Sequence, residues 1–323
     1  MLQIFLVTIP FFALVAAGYV AARSRVLPLD AIPGLNAFVL YFALPCMLYR
    51  FGANTPIAQL LDGSVALVWG ICALATVGAV VVFSRNDRIG WNDASFGALV
   101  AAFPNTGFMG VPLLTAILGV QSAGPVIITI IFDMVLTSSL CIALSRLDAA
   151  GSQGAAQAVR KALAGVLRNP MPWAILLGAL ASAASYKLPG PVDRTIAMLG
   201  DAASPAALFT IGAVLARSAM LAHQARGRAP VRDVLPVVLV KLVAHPLLVC
   251  AVALLARAWG LPLGLPAMVA LVLVAALPSA SNVSMLAERF GADNGRIARI
   301  ILWTTVAAFF SFPLVVEQAE RLR

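Results

Sequence analysis

The sequence predicts an all-α polytopic membrane protein of ten transmembrane helices, and three observations carry that prediction. Apolar residues fill 62% of the 323 positions and charged residues only 11%, a balance that excludes a soluble globular domain. Clusters of Gly, Pro and charge cut the chain into apolar stretches of roughly twenty residues, the length that crosses a bilayer. Two of these stretches are broken in the middle, one by Pro104, Asn105, Thr106 and Gly107, the other by Pro278, Ser279, Ser281 and Asn282. Proline removes a backbone donor and clashes with the preceding turn, and the freed polar groups cannot face lipid. Each break is therefore expected to line a protein-enclosed site, with a plain proline kink as the competing reading.

The ten spans fall at 2–22, 32–49, 64–84, 94–118, 123–145, 170–186, 191–216, 232–256, 264–290 and 297–316. The first follows Met1-Leu2-Gln3, which lacks the basic start of a cleaved signal, so it reads as a retained helix. The second carries Ala43-Leu44-Pro45 and the third ends before Arg85. The fourth holds the Pro104 break, with Gly110 and Pro112 beyond it, and the fifth contains Asp133. Between the fifth and sixth, Val159, Ala162, Leu163, Val166 and Leu167 recur at helical spacing, as in a short helix lying on the cytoplasmic face or a solvated linker. The sixth is short and stops before Lys187-Leu188-Pro189-Gly190. The seventh carries Asp201 and Ala203-Ser204-Pro205-Ala206, and the eighth carries Lys241 and His245. The ninth is broken at Pro278, and Glu288, Arg289, Asp293, Arg296 and Arg299 before the tenth read as a solvated hairpin.

Placing the N-terminus outside puts 15 Lys and Arg residues in cytoplasmic loops and 6 outside, with Lys241 left within a span. That asymmetry predicts a multi-pass protein of the inner (plasma) membrane with both termini outside the cytoplasm. It also accounts for the formal charge of +9 without a nucleic-acid partner, since the basic residues are scattered between spans. Pro45 and Pro205 are 160 residues apart and the two breaks 174, the extra 14 matching the longer basic loop Ser218 to Arg232. Five spans is an odd number, so the halves enter the membrane from opposite sides, as in a 5+5 inverted-topology repeat. The expected domains are 1–146, a cytoplasmic linker 147–169, and 170–323.

With a proline in spans 2 and 7 and breaks in spans 4 and 9, the chain resembles the auxin efflux carrier family of membrane transporters. The strings Asn105-Thr106-Gly107 through Gly110-Val111-Pro112, Ser204-Pro205-Ala206-Ala207-Leu208-Phe209 and Lys241-Leu242-Val243-Ala244-His245-Pro246 add to the likeness. The resemblance implies a scaffold of helices 1, 2, 6 and 7, and a transport part of helices 3–5 and 8–10 whose broken helices 4 and 9 cross near the midplane. It also implies elevator-like motion and small organic anions as substrates, malonate-like carboxylates in the short bacterial branch. The absence of a long hydrophilic central loop separates this chain from the plant hormone carriers. A homodimer through the scaffold helices is a further expectation.

Half-helices that start after the two breaks would aim unpaired N–H groups and positive dipole ends at the midplane, a site for an anion. Pro104, Asn105, Thr106, Gly107, Pro278, Ser279, Ser281 and Asn282 are the candidate substrate-binding residues; alternatively their polar groups only satisfy the freed backbone. Asp133, Asp201 and Lys241 are costly intramembrane ionisable groups and, with His245, the candidates for coupling a proton or sodium ion. A fixed structural pair or a snorkelling lysine would explain them equally, and His245 alone reads as structural. Cys46, Cys72, Cys141 and Cys250 show no metal-ligand spacing, and no other cofactor is expected. The nucleophile-elbow, zinc-helix and P-loop patterns are all missing, which argues against an enzyme. A secondary carrier of a small carboxylate is the leading reading, with a channel or a non-transporting sensor as alternatives.

Overall fold

The computed structural model describes residues 2–119, 122–147, 157, 160, 164, 167–224 and 230–321. It is nearly all helical, and no β-strand occurs among the described residues. Seven helical spans are long and apolar enough to cross a membrane: Leu6–Arg23, Leu29–Asn54, Ile57–Ser84, Ala123–Leu144, Gly190–Arg217, Val231–Ala258 and Asn294–Ala319. Shorter apolar helices, Thr106–Leu118, Pro170–Ala183 and Leu265–Ala276, stand where the fourth, sixth and ninth spans were expected. Two of those three are cut short by the breaks at Pro104 and Pro278. The third, Pro170–Ala183, has 14 residues, or about 21 Å at 1.5 Å per residue, well under the hydrocarbon thickness. The linker helix expected near Val159 to Leu167 lies largely outside the described residues.

The elements are α1 (Leu2–Arg23), α2 (Ile32–Phe38), α3 (Leu44–Asn54), α4 (Ile57–Leu60), α5 (Gly63–Ser84), α6 (Trp91–Ala102), α7 (Val111–Leu118), α8 (Ala123–Phe132) and α9 (Ser138–Leu144). The second half gives α10 (Pro170–Ala183), α11 (Gly190–Gln224), α12 (Val231–Leu239), α13 (His245–Ala258), α14 (Leu265–Ala276), α15 (Val283–Arg289) and α16 (Asn294–Glu320). Side-chain caps mark several starts: Asp62 accepts from the backbone of Ser64 and Val65, Asn169 from Met171, and Asp293 from Arg296. Gly260 and Gly291, at φ 86° and 70°, close α13 and α15 in the left-handed conformation that glycine adopts without strain. The seventh expected span, 191–216, matches Gly190–Arg217, and the helix α11 runs on beyond it to Gln224, because the Leu-Ala-rich residues after Arg217 continue it.

Four wide π-helical turns interrupt the regular helices, at Val39–Ala43, Thr106–Gly110, Asp133–Thr137 and Val240–Ala244. Three of them stand immediately before a helix whose second residue is proline: Pro45, Pro112 and Pro246. Proline cannot donate to the carbonyl four residues back and its ring crowds that carbonyl. Widening the preceding turn by one residue relieves the clash and keeps the helix running. The fourth, at Asp133, has no proline and is held by Ser138 Oγ, which donates to the Asp133 carbonyl at 2.8 Å.

Two helix pairs pack backbone to backbone. On α1 and α11, a β-carbon at Gly18 would collide with the Phe209 carbonyl, and one at Gly212 with the Val15 carbonyl. On α3 and α10, Gly52 and Gly178 meet the carbonyls of Ile175 and Tyr49 in the same way. Glycine is required at such contacts because it lets helix axes approach closely, which gives membrane helices their dispersion contacts. Outside, large apolar side chains stand exposed, among them Phe83, Leu74, Leu247 and Phe310. That surface suits lipid and not water.

At the centre lie α6 and α14. Every residue from Ala94 to Ala102 and from Met268 to Ala276 is buried, as expected for helices enclosed by others on all sides.

The charged hairpin before α16 is exposed at Glu288, Arg289 and Asp293, as expected of a solvated face, but not at Arg296. Arg296 is only 3% exposed. Its Nε donates to the Asp233 carbonyl at 3.0 Å and its Nη1 to the Asp93 carbonyl at 2.8 Å, and its guanidinium lies against Gly97. Asp293 N–H donates to Asp93 Oδ1 at 2.7 Å, and Asn92 reaches the carbonyls of Phe290 and Gly291. One guanidinium thus clasps the starts of α6, α12 and α16. Charge density suggested solvent, but the carbonyls of Asp93 and Asp233, with the carboxylates of Asp93, Asp233 and Asp293 around them, draw the cation inward.

Candidate functional site

The residue before a proline is driven out of the helical region, and the two breaks begin there. Phe103 is extended at φ −97°, ψ 102°, and Leu277 at φ −62°, ψ 154°. Each short extended piece then pairs with the other. Asn105 N–H donates to the Pro278 carbonyl at 2.8 Å and Ala280 N–H to the Phe103 carbonyl at 3.0 Å, forming an antiparallel bridge between Pro104 and Ser279. Two of the backbone donors freed at the breaks, those of Asn105 and Ala280, are thus satisfied across the bridge.

Those side chains are buried and partly unused. Asn105 is 3% and Ser279 1% exposed. Asn105 Oδ1, Ser279 Oγ and Asn282 Oδ1 have no hydrogen-bond partner among the described residues. A buried polar atom left unpaired costs about 1–3 kcal/mol, and three such atoms belong to residues of the two breaks. Ser279 can donate, and an asparagine amide presents NH2 or oxygen by a half-turn. Thr106 is different: its hydroxyl turns to the Pro104 carbonyl at 3.4 Å. Ser281 is buried and its carbonyl accepts from Ser284 Oγ at 2.9 Å. Gly107 faces Met171 of α10 and Gly110 faces Leu277, where a β-carbon would stand 2.7 Å from its Cδ1. Helical structure resumes at Thr106, so the next N–H groups open a helix whose first donors have no partner within it.

Beside the bridge lies a cluster of buried ionisable groups carried by two of the π turns. Asp133 is fully buried; its Oδ1 accepts from Trp69 Nε1 at 3.1 Å and from Thr137 Oγ1 at 2.8 Å, while Oδ2 has no partner. Lys241, also fully buried, donates from Nζ to the Ala275 carbonyl at 2.8 Å and lies 3.4 Å from His245 Nδ1. Ala275 is in the last turn of α14, where carbonyls lack helical partners and a cation is favoured. The rings of Trp69 and His245 are 5.5 Å apart, so the indole spans the space between acid and base.

The sequence candidates are thus brought together in part. Asp133, Lys241 and His245 share one cluster, but Asp133 and Lys241 make no ion pair within 4.0 Å among the described residues. Asp201 belongs elsewhere: it pairs with Arg50 at 2.7 Å, on a side chain 74% exposed. Sequence reasoning missed Trp69 and Thr137, the two donors to Asp133, and Thr304, whose hydroxyl accepts from Ser279 N–H at 3.3 Å. Only Trp69 left a signal, a residue with a polar handle in an apolar span.

A helical chain with an apolar outer surface and polar groups gathered at two helix interruptions in its core is a multi-pass membrane transporter. Residues 4–316 match the model of the family described as membrane transport protein, and the chain belongs to this family, that of the auxin efflux carriers. It is 30% identical over 307 residues to a protein of Rhizobium meliloti named "Putative malonate transporter", covering 92% of this chain and 90% of the relative. An uncharacterized transporter of Escherichia coli, YfdV, is 26% identical over 289 residues, covering 87% of each chain. Auxin efflux carrier component 8 of Arabidopsis thaliana is 21% identical over 261 residues, covering 65% of this chain and 71% of the relative.

Proposed function

We propose that the protein is a secondary active transporter of a small carboxylate, held where the two breaks meet. The observation that carries this reading is the reciprocal backbone bridge, which leaves Asn105, Ser279 and Asn282 buried with unpaired oxygen atoms. Asn105, Ser279 and the N–H groups that follow Thr106 bind the carboxylate, and the buried apolar helices α6 and α14 exclude water around it. The likeness to a relative named for malonate favours a dicarboxylate of that size. Asp133, Lys241 and His245 form the coupling site, for a proton or a sodium ion; Asp201, exposed and paired with Arg50, is not part of it.

The architecture behind this reading is ten crossings in a 5+5 inverted repeat. Two sets of spacings support it. Gly18 and Gly178, like Gly52 and Gly212 and like Pro45 and Pro205, are 160 residues apart, and each of these glycines packs on the opposite half. α6 and α14 have 12 residues each and start and end 174 residues apart, the spacing of Pro104 and Pro278. Helices 1, 2, 6 and 7, closed by the glycine contacts, form the scaffold. The rest moves against it as an elevator, in an inner membrane, with both termini outside.

Proteoliposomes preloaded with malonate should show saturable counterflow. Exchange of cations or neutral solutes without any carboxylate would remove the anion reading, and unsaturable flux would favour a channel. Orientation is tested separately. In a background without the four native cysteines, a single cysteine at Arg23 should be shielded from impermeant thiol reagents in intact cells, and one at Arg321 should label. The reverse pattern would invert the topology.

A further inference from the structure

The buried cluster holds two orphan atoms on ionisable side chains. Asp133 Oδ2 has no partner, and neither has His245 Nε2. Lys241 Nζ stands 3.4 Å from His245 Nδ1. An ammonium there donates to Nδ1, which leaves the proton of the neutral ring on Nε2. The cluster therefore contains an acceptor, Oδ2, and a donor, Nε2–H, both enclosed and both unpaired, with Trp69 touching the two residues that bear them. Such a pair fits a small, exchangeable occupant. A hard cation needs a shell of oxygen ligands. Here an ammonium, an indole N–H and an imidazole take those places, and one carboxylate oxygen is free. No group of three or more His, Cys, Asp and Glu side chains suited to a metal ion occurs among the described residues.

We propose that Asp133 Oδ2 is the loading position for one proton that travels in the same direction as the carboxylate, a reading that rests on the carrier function above. The step is simple: the carboxylate takes one proton from water and no other bond changes. The titratable groups facing it are Lys241 and His245, and the buried Cys141 thiol of α9; α5 contributes Trp69, which does not titrate. With Asp133 ionised, Lys241 ammonium and carboxylate cancel. With Asp133 protonated, the cluster carries one positive charge. Lys241 carries that charge to the Ala275 carbonyl, three residues before Pro278, at the edge of the substrate bridge. An anion there is attracted to the loaded cluster more than to the empty one, and by reciprocity the bound anion favours the proton. Neither has to meet the other directly.

The test uses purified protein and malonate. Malonate added to lightly buffered wild type in detergent should withdraw protons from the medium, and its affinity should fall by up to about tenfold for each pH unit above the loading range. In proteoliposomes a proton gradient, acidic outside, should drive accumulation, and a sodium gradient should not. Asp133→Asn should bind malonate with no pH dependence, whatever its counterflow rate, while Asp133→Glu should restore the dependence. Net uptake by wild type that ignores the proton gradient, or accumulation driven by sodium alone, overturns the proton and leaves the carrier standing. Absence of counterflow with every carboxylate tried overturns both.

Discussion

Pro278→Ala is expected to abolish substrate binding while leaving thermal stability nearly unchanged. With alanine at this position the helix that ends at Ala276 can run on, because the missing donor and the ring clash are both gone. Continuing it removes Leu277 to Ala280 from the bridge, so the two hydrogen bonds with Phe103 and Asn105 are lost. About the same number of helical bonds is gained, at about 1 kcal/mol each, so the folded state gives up little. The bridge that fixes where Asn105 and Ser279 sit relative to one another, however, is gone. Asn105→Ala is the control: it removes a side chain without closing the break, and should weaken binding by about 1–3 kcal/mol with the fold intact. Thermal unfolding in detergent and malonate titration measure both. If both variants lose stability and neither loses affinity, the breaks are only kinks and the substrate sits elsewhere.

Lys241→Met should have the second large effect, this time on stability. The substitution keeps the bulk of the side chain but deletes the charge that the Ala275 carbonyl and His245 Nδ1 both use. An unpaired carbonyl at the end of α14 costs about 1–3 kcal/mol, and an uncompensated buried Asp133 costs more until it takes up a proton. Adding Asp133→Asn should therefore recover part of the loss, since it removes the stranded charge. Unfolding temperatures of the wild type, the two single variants and the double variant decide the matter. Strict additivity of the two losses would mean that the charges do not interact.

The breaks could be read from the sequence because proline acts locally. It removes a donor and crowds the preceding turn, so Pro104 and Pro278 announced both interruptions, and three of the four π turns answer the same crowding at three further prolines, where the helix runs on. The inventory of buried charge was legible too, since Asp133 is the one charge in its span and Lys241 lies well inside its own, beyond the Arg232-Asp233 pair that opens it. Their arrangement was not. A direct ion pair was the simplest expectation, but the structure interposes Trp69 and gives Lys241 a backbone carbonyl from a helix 34 residues away. Such partners depend on which helix faces come together, and a single sequence does not encode that as a pattern. Arg296 failed for a related reason: grouped with Glu288, Arg289, Asp293 and Arg299 in one charged hairpin it looked wet, and only the carbonyls of Asp93 and Asp233 explain why it is dry.

The Arg296 clasp also bears on how the chain is made. Its two carbonyl partners lie 203 and 63 residues earlier. During synthesis from the N-terminus, α6 and α12 therefore reach the membrane long before the residue that joins them exists. Until the last helix is inserted, α6 has α5 and α9 to pack on but no guanidinium at its start. The clasp on the central helix that leads into the Pro104 break closes only when that last helix is in place. A chain stopped short of Arg296 would carry nearly every residue of the substrate bridge and still lack the part that sets its geometry.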